Sequence, residues 1–249
     1  MRRRPRGRLV VVGSLFVAAG AVWGSAFLFI HPVPPVRSAT VALPAAPPPA
    51  EPPPTISPGP DLLPVFAQVA GVQLRMVSER AVAVAFHEAS LPDALELRPV
   101  GRCRVCRNAK KFSPPVADSS GQPYVVMDAR GRSTPATSAV DTVLPRGETV
   151  LAPVSGTVAR VTRYRLYGRY WDARVEIRPD GAPRHRVVVI HLMGVMLERG
   201  DRVEASATRL GVPRRFPFES QVDRYVPGGR PHVHLEVKRP APRRADSKP

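Results

Sequence analysis

The sequence predicts a compact all-β domain carried behind one transmembrane helix and a proline-rich linker. Three observations point there. Between residues 141 and 238, short runs of alternating or apolar residues are separated by glycine turns. No segment after residue 30 shows a convincing helical apolar period. Residues 9–30 carry no charge at all.

The chain opens on a basic segment, residues 1–8, containing Arg2, Arg3, Arg4, Arg6 and Arg8. The apolar run that follows is 22 residues long. As a helix it would reach roughly 33 Å, enough to cross a bilayer core. Arginines before the run and none within it place the N-terminus in the cytoplasm and the bulk of the chain outside. A run that is apolar on every face does not suit a core helix. It reads as a signal-anchor, giving a single-pass membrane protein. A cleaved signal peptide is the alternative, weakened by the length of the run and by the lack of a clean Ala-x-Ala site. Residues 31–60 are the linker, and 12 of the residues from 32 to 60 are proline. Proline donates to no helix or sheet ladder, so this is a stiff spacer of up to roughly 90 Å that stands the domain off the membrane.

The formal net charge is +17, carried mostly by arginine. A basic exported domain is drawn to an anionic surface such as wall polymer or lipid head groups. Nucleic acid is argued against by the topology and by the lack of an aromatic-rich basic reader motif. Cys103 and Cys106 are the only cysteines. Outside the membrane their default state is a small structural disulfide. A thioredoxin-like motif would need a βαβ setting, and a zinc ribbon would need a second pair.

Residues 61–128 form a β-rich lead-in of unknown role, with short strands expected around 72–77 and 81–86. Residues 129–238 hold clearer strands at 149–152, 156–161, 173–178 and 187–192, a turn at 198–203 that leads into another strand, and a last strand at 232–238. That last strand alternates cleanly. Val233, Leu235 and Val237 face one way, and His232, His234 and Glu236 the other. Residues 239–249 form a basic, proline-rich tail expected to be disordered.

His232 and His234 are the centre of the chemical reading. Side chains at i and i+2 of a strand share a face, so one imidazole can bind a metal while the other stands beside it. On spacing alone, two solvated histidines on a surface strand are the competing interpretation. The context adds Asp141, then Ala152-Pro153-Val154-Ser155-Gly156-Thr157-Val158, then His191-Leu192, then Gly200-Asp201-Arg202-Val203, then His232-Val233-His234-Leu235-Glu236-Val237. In that order the motifs resemble those of the lysostaphin/LytM-type zinc metallopeptidases, over roughly residues 129–238. The resemblance implies a hybrid β-barrel or sandwich of the LytM type. It also implies Asp141 and His234 as zinc ligands, His232 as general base and His191 as stabiliser of the developing oxyanion.

One element departs. The family's first ligand, a histidine four residues before the Asp, is Thr137 here, and a hydroxyl is a poor zinc ligand. His87 and His185 are the candidates to complete the set from elsewhere, although a lone histidine is more often structural or exposed. His31, at the membrane exit, is an interfacial residue at most.

Two functions follow from the resemblance. One is a membrane-anchored zinc endopeptidase that cuts peptide cross-links of peptidoglycan. The other is a catalytically inactive domain that binds the wall or regulates a wall hydrolase. A biotinyl- or lipoyl-like carrier shares the Ala-Pro-x-x-Gly and Gly-Asp-x-Val pieces but presents a lysine at a hairpin tip. No lysine lies between Lys111 and Lys238.

Overall fold

The computed structural model describes residues 62–118, 121–228 and 231–239. The expected transmembrane helix, the linker and residues 240–249 of the tail lie outside them. Among the described residues, no helix is long and apolar enough to cross a membrane.

The strands of the first half are β1 (Val65–Val69), β2 (Val72–Arg75), β3 (Ala83–His87), β4 (Arg98–Pro99), β5 (Cys103–Cys106), β6 (Tyr124–Val126) and β7 (Ala139–Val143). Those of the second half are β8 (Val150–Leu151), β9 (Gly156–Leu166), β10 (Tyr170–Pro179), β11 (Arg186–Met193), β12 (Arg202–Val203), β13 (Arg209–Pro213) and β14 (His232–Lys238). Among the described residues, the helical content is one 3-10 turn, Gln221–Arg224. The all-β expectation therefore holds for the described residues.

β1 and β2 form a hairpin whose turn residues, Ala70 and Gly71, both take positive φ. That backbone twist matches the twist of the flanking strands. With β4 they make a small sheet in the order β2-β1-β4. The main sheet runs β12-β9-β10-β11-β14-β7-β3-β6-β5, with β13 attached to β11 and β8 to β13. Of the expected hybrid β-barrel or sandwich, the barrel part is not closed. The path is open, because it ends on the two-residue β12, paired only to β9, and on β5, paired only to β6. β3, from the lead-in segment, lies inside this sheet between β7 and β6.

Alternation explains which strands were legible. Val233, Leu235 and Val237 of β14 are fully buried, as are Val187 and Val189 of β11 and Val175 and Ile177 of β10. Each such side chain contributes on the order of 1.5–3 kcal/mol by leaving water. Phe86 of β3 packs edge-on against Tyr124 of β6 in the same core, with ring centroids 5.3 Å apart. β7 was not anticipated from the sequence. All five of its residues are buried, so it lacks the polar face that would give alternation.

Gly156 opens β9 at a close approach. A Cβ there would lie 2.3 Å from the Arg178 carbonyl oxygen, which accounts for the glycine in the Ala-Pro-x-x-Gly motif. Cys103 and Cys106 are joined by a disulfide on the edge strand β5, as expected.

Candidate metal centre

Three neighbouring strands deliver three side chains to one point. Asp141 of β7 lies directly opposite His234 of β14 in an antiparallel pair, so both side chains stand on the same face. On its other side Asp141 lies opposite Ala85 of β3. His87 is two residues along from Ala85 and shares its face. His87 Nε2 is 3.0 Å from Asp141 Oδ1, and His234 Nδ1 is 2.9 Å from the same oxygen. The donor atoms of His87, Asp141 and His234 all lie within 4.8 Å of one another.

Hydrogen-bond accounting tests whether this set fits a metal. His87 is fully buried, and its Nδ1 is 2.9 Å from the Glu88 carbonyl oxygen. Burial pushes its pKa below the usual imidazole range in spite of Asp141, so the ring is neutral and has one N–H. That single proton cannot serve both the Glu88 carbonyl and the Asp141 carboxylate, which are acceptors. With Nδ1–H donated to Glu88, Nε2 points a lone pair at a carboxylate oxygen. A cation between them resolves that clash, and a backbone carbonyl holding the far nitrogen is the usual outer partner of a ligating histidine. Two imidazoles and one carboxylate are also a donor set that zinc takes in catalytic sites.

The electrostatics agree. Burial alone would raise the Asp141 carboxyl, but its contacts with His87 and His234 hold it well below the usual carboxylate range. Burial opposes protonation of His234, yet its contacts with Asp141 and Glu236 hold it at about 9. The proton of the cluster therefore sits on His234. Glu236 Oε2 is 3.8 Å from His234 Nε2.

Thr137 is elsewhere. It is buried, its hydroxyl donates to the Leu97 carbonyl at 2.7 Å, and its own carbonyl accepts from Leu97 N–H at 3.0 Å. It stitches β7's approach to the β4 segment and offers nothing to the cluster. Only Asp141 and His234 stand in the register of the motif, and the third donor beside them is His87 on a neighbouring strand, one of the two candidates the sequence offered. His185 lies in the turn between β10 and β11, outside the cluster.

His232 and His191 stand beside these donors. A cleft of about 720 Å³ is lined by Asp141, His234, His232, His191, Arg130 and Phe216 among others. The rings of His191 and His232 are 5.7 Å apart, and His191 is 6.2 Å from His234. Burial pushes His232 down to about 4, so it is neutral at physiological pH, and its Nδ1 is buried without a partner.

Three further residues shape the site, and sequence reasoning did not single them out. Arg130 reaches within 3.6 Å of Asp141 Oδ2 and donates through Nε to Gln221. Glu88 is fully buried and accepts the backbone N–H groups of Arg130 (3.1 Å) and Arg132 (2.7 Å), fixing the loop that carries Arg130. Asp172 lies 2.7 Å from His191 Nδ1. His191 itself occupies a β-bulge. Ala173 pairs with Leu192 and Arg174 with Ile190, leaving His191 as the extra residue, at φ +69°. That conformation costs a non-glycine residue about 1–3 kcal/mol. A repeated apolar–polar period cannot reveal a bulge, and one acidic residue next to Trp171 gives no signal.

No protein-family model and no curated protein matches the chain. Solved structures similar to parts of it include the following two. One is the NMR solution structure of lysostaphin, at 21% identity and a TM-score of 0.30, covering 40% of this chain and 35% of that one. The other is the crystal structure of a zinc-containing peptidase from Vibrio cholerae, at 21% identity and a TM-score of 0.31, covering 45% of this chain and 30% of that one. The chain thus matches about a third of the length of either protein. The donor set of the cleft stands independently of both likenesses.

Proposed function

We propose that this chain is a zinc-dependent endopeptidase acting on the cross-link peptides of peptidoglycan, anchored by residues 9–30 to the outer side of a membrane. The observation that carries the catalytic reading is the convergence of His87, Asp141 and His234 within 4.8 Å, beside two more imidazoles in one cleft. His87, Asp141 and His234 would hold the metal. Zinc held there supplies Lewis acidity toward an amide carbonyl and toward water. His232 is neutral and accepts a proton as general base. His191, lining the same cleft, stabilises the oxygen on which negative charge develops as an imidazolium, with Nδ1–H on Asp172 and Nε2–H toward that oxygen.

The cellular assignment draws on the sequence. An arginine-led apolar run, a proline-rich spacer and a net charge of +17 suit a domain held out from the membrane toward an anionic wall.

A second reading has its own support. Arg130 and the protonated His234 already neutralise Asp141, as they would in a metal-free domain that binds wall peptides or regulates a wall hydrolase. Metal analysis of the purified full-length chain separates the two. The peptidase reading expects one equivalent of zinc, lost in His87→Ala and His234→Ala, and release of peptide fragments from cross-linked peptidoglycan. A zinc-free chain that still sediments with insoluble wall would favour the binder.

A further inference from the structure

Resting on the peptidase reading, the geometry points to Asp172 as a positioning residue that fixes the tautomer and orientation of His191 and leaves its Nε2 available to the cleft. Asp172 is buried at the bulge between β10 and β11. Its Oδ1 accepts the Ala173 N–H at 2.8 Å. Its Oδ2 accepts the Tyr164 hydroxyl at 3.1 Å and faces His191 Nδ1 at 2.7 Å. A carboxylate has no proton of its own to give. Tyr164 stays a donor, because burial and the Asp172 charge push its phenol upward. The proton of the short contact therefore belongs to His191, on Nδ1, and Nε2 is the nitrogen left for the cleft.

The backbone serves the same end. In a regular ladder His191 would take a place along the alternation of β11. The bulge and positive φ instead rotate it out of register, and bulges re-aim side chains in this way. Phe216 closes the ring's remaining freedom from the side, edge-on at 4.8 Å. Asp172, itself held by the Tyr164 hydroxyl, and Phe216 thus hold one imidazole from two directions. The arrangement matches the general rule that a working imidazole has its tautomer set by the partner of its second nitrogen.

The test uses the full-length chain in detergent. Nitrogen-15 NMR of the histidine rings at about pH 9, above the ordinary imidazole range, should show the His191 proton on Nδ1, and Asp172→Asn should mix the two tautomers. The same variant should lower kcat on cross-linked wall peptide roughly 10–100-fold, with KM and zinc content unchanged. In a His191→Ala background it should cost nothing more. A wild-type proton on Nε2 overturns the inference, and that result needs no variant to fold. Wild-type turnover by Asp172→Asn, or an equal further loss in the His191→Ala background, also overturns it. Should the wild type hydrolyse no peptide while its His191 tautomer depends on Asp172, the positioning role stands and the peptidase reading fails.

Discussion

β14 and β3 each supply one imidazole to the same cluster, yet only one of them announces it. β14 reads His-Val-His-Leu-Glu-Val-Lys, with core residues and polar residues strictly alternating. β3 reads Ala-Val-Ala-Phe-His, an apolar run that ends in a histidine. Both strands are interior to the sheet and buried nearly throughout, and the difference is the pattern of their polar residues. β14 turns one face to the core and the other to the cleft, so its chemistry shows as a pattern. β3 is buried nearly throughout, between β7 and β6, and a ligand there looks like a satisfied core histidine. Metal ligands are easiest to read from sequence where a strand alternates apolar and polar residues, and hardest where an apolar run hides a single imidazole.

Breaking the pair on either strand should have the largest effect. His87→Ala and His234→Ala are each expected to weaken zinc binding by more than the roughly 10–100-fold typical of outer-shell changes, measured by competition with a chelating indicator. Equal losses would make the silent strand as important as the legible one. Full zinc affinity in His87→Ala would remove β3 from the site.

His232 shares β14 with His234 and should separate the two roles on that strand. His232→Ala is expected to lower turnover about 10²–10⁴-fold, the range of general acid–base catalysis, while zinc stays bound. Full turnover by this variant would end the assignment of His232 as base.

A third prediction concerns protons. His234, held at about 9, must lose its proton before Nδ1 can bind metal, whereas the buried His87 is already neutral. Zinc affinity should therefore strengthen as pH rises, about tenfold per unit for the release of one proton, and level off above about 9. Calorimetry in buffers of different ionisation enthalpy should count about one proton released at neutral pH. Affinity that is flat from mildly acidic to mildly alkaline pH would contradict this charge assignment.

The smallest effect is expected at Thr137. Thr137→Val removes the hydroxyl bond to Leu97 and should cost about 0.5–1.5 kcal/mol in denaturant unfolding, leaving zinc untouched. Thr137→His should not raise zinc affinity, because the side chain at this position faces Leu97. A gain in affinity would show that β7's approach can swing toward the cluster and that β3 is dispensable.

Much of the fold was legible for the same reason that β14 was. β9, β10 and β11 show alternating or apolar runs bounded by glycine turns, and the structure lengthens them without moving them. β7 was missed although Asp141 on it was picked out, since a fully buried strand has no polar face to mark it. The site was legible as far as Asp141, His191, His232 and His234. His87 was one of two spare histidines, and only the pairing of Ala85 with Asp141 brings it to the cluster. Asp172 was silent because its importance depends on a bulge, a local break in the period that sequence reading relies on.

The most direct measurement is a crystal structure of the zinc-soaked protein with anomalous data at the zinc edge. The account predicts one strong peak bonded to His87 Nε2, an Asp141 oxygen and His234 Nδ1 at roughly 2.0–2.2 Å. A peak that leaves His87 unbound, or no peak among the three residues, would contradict it.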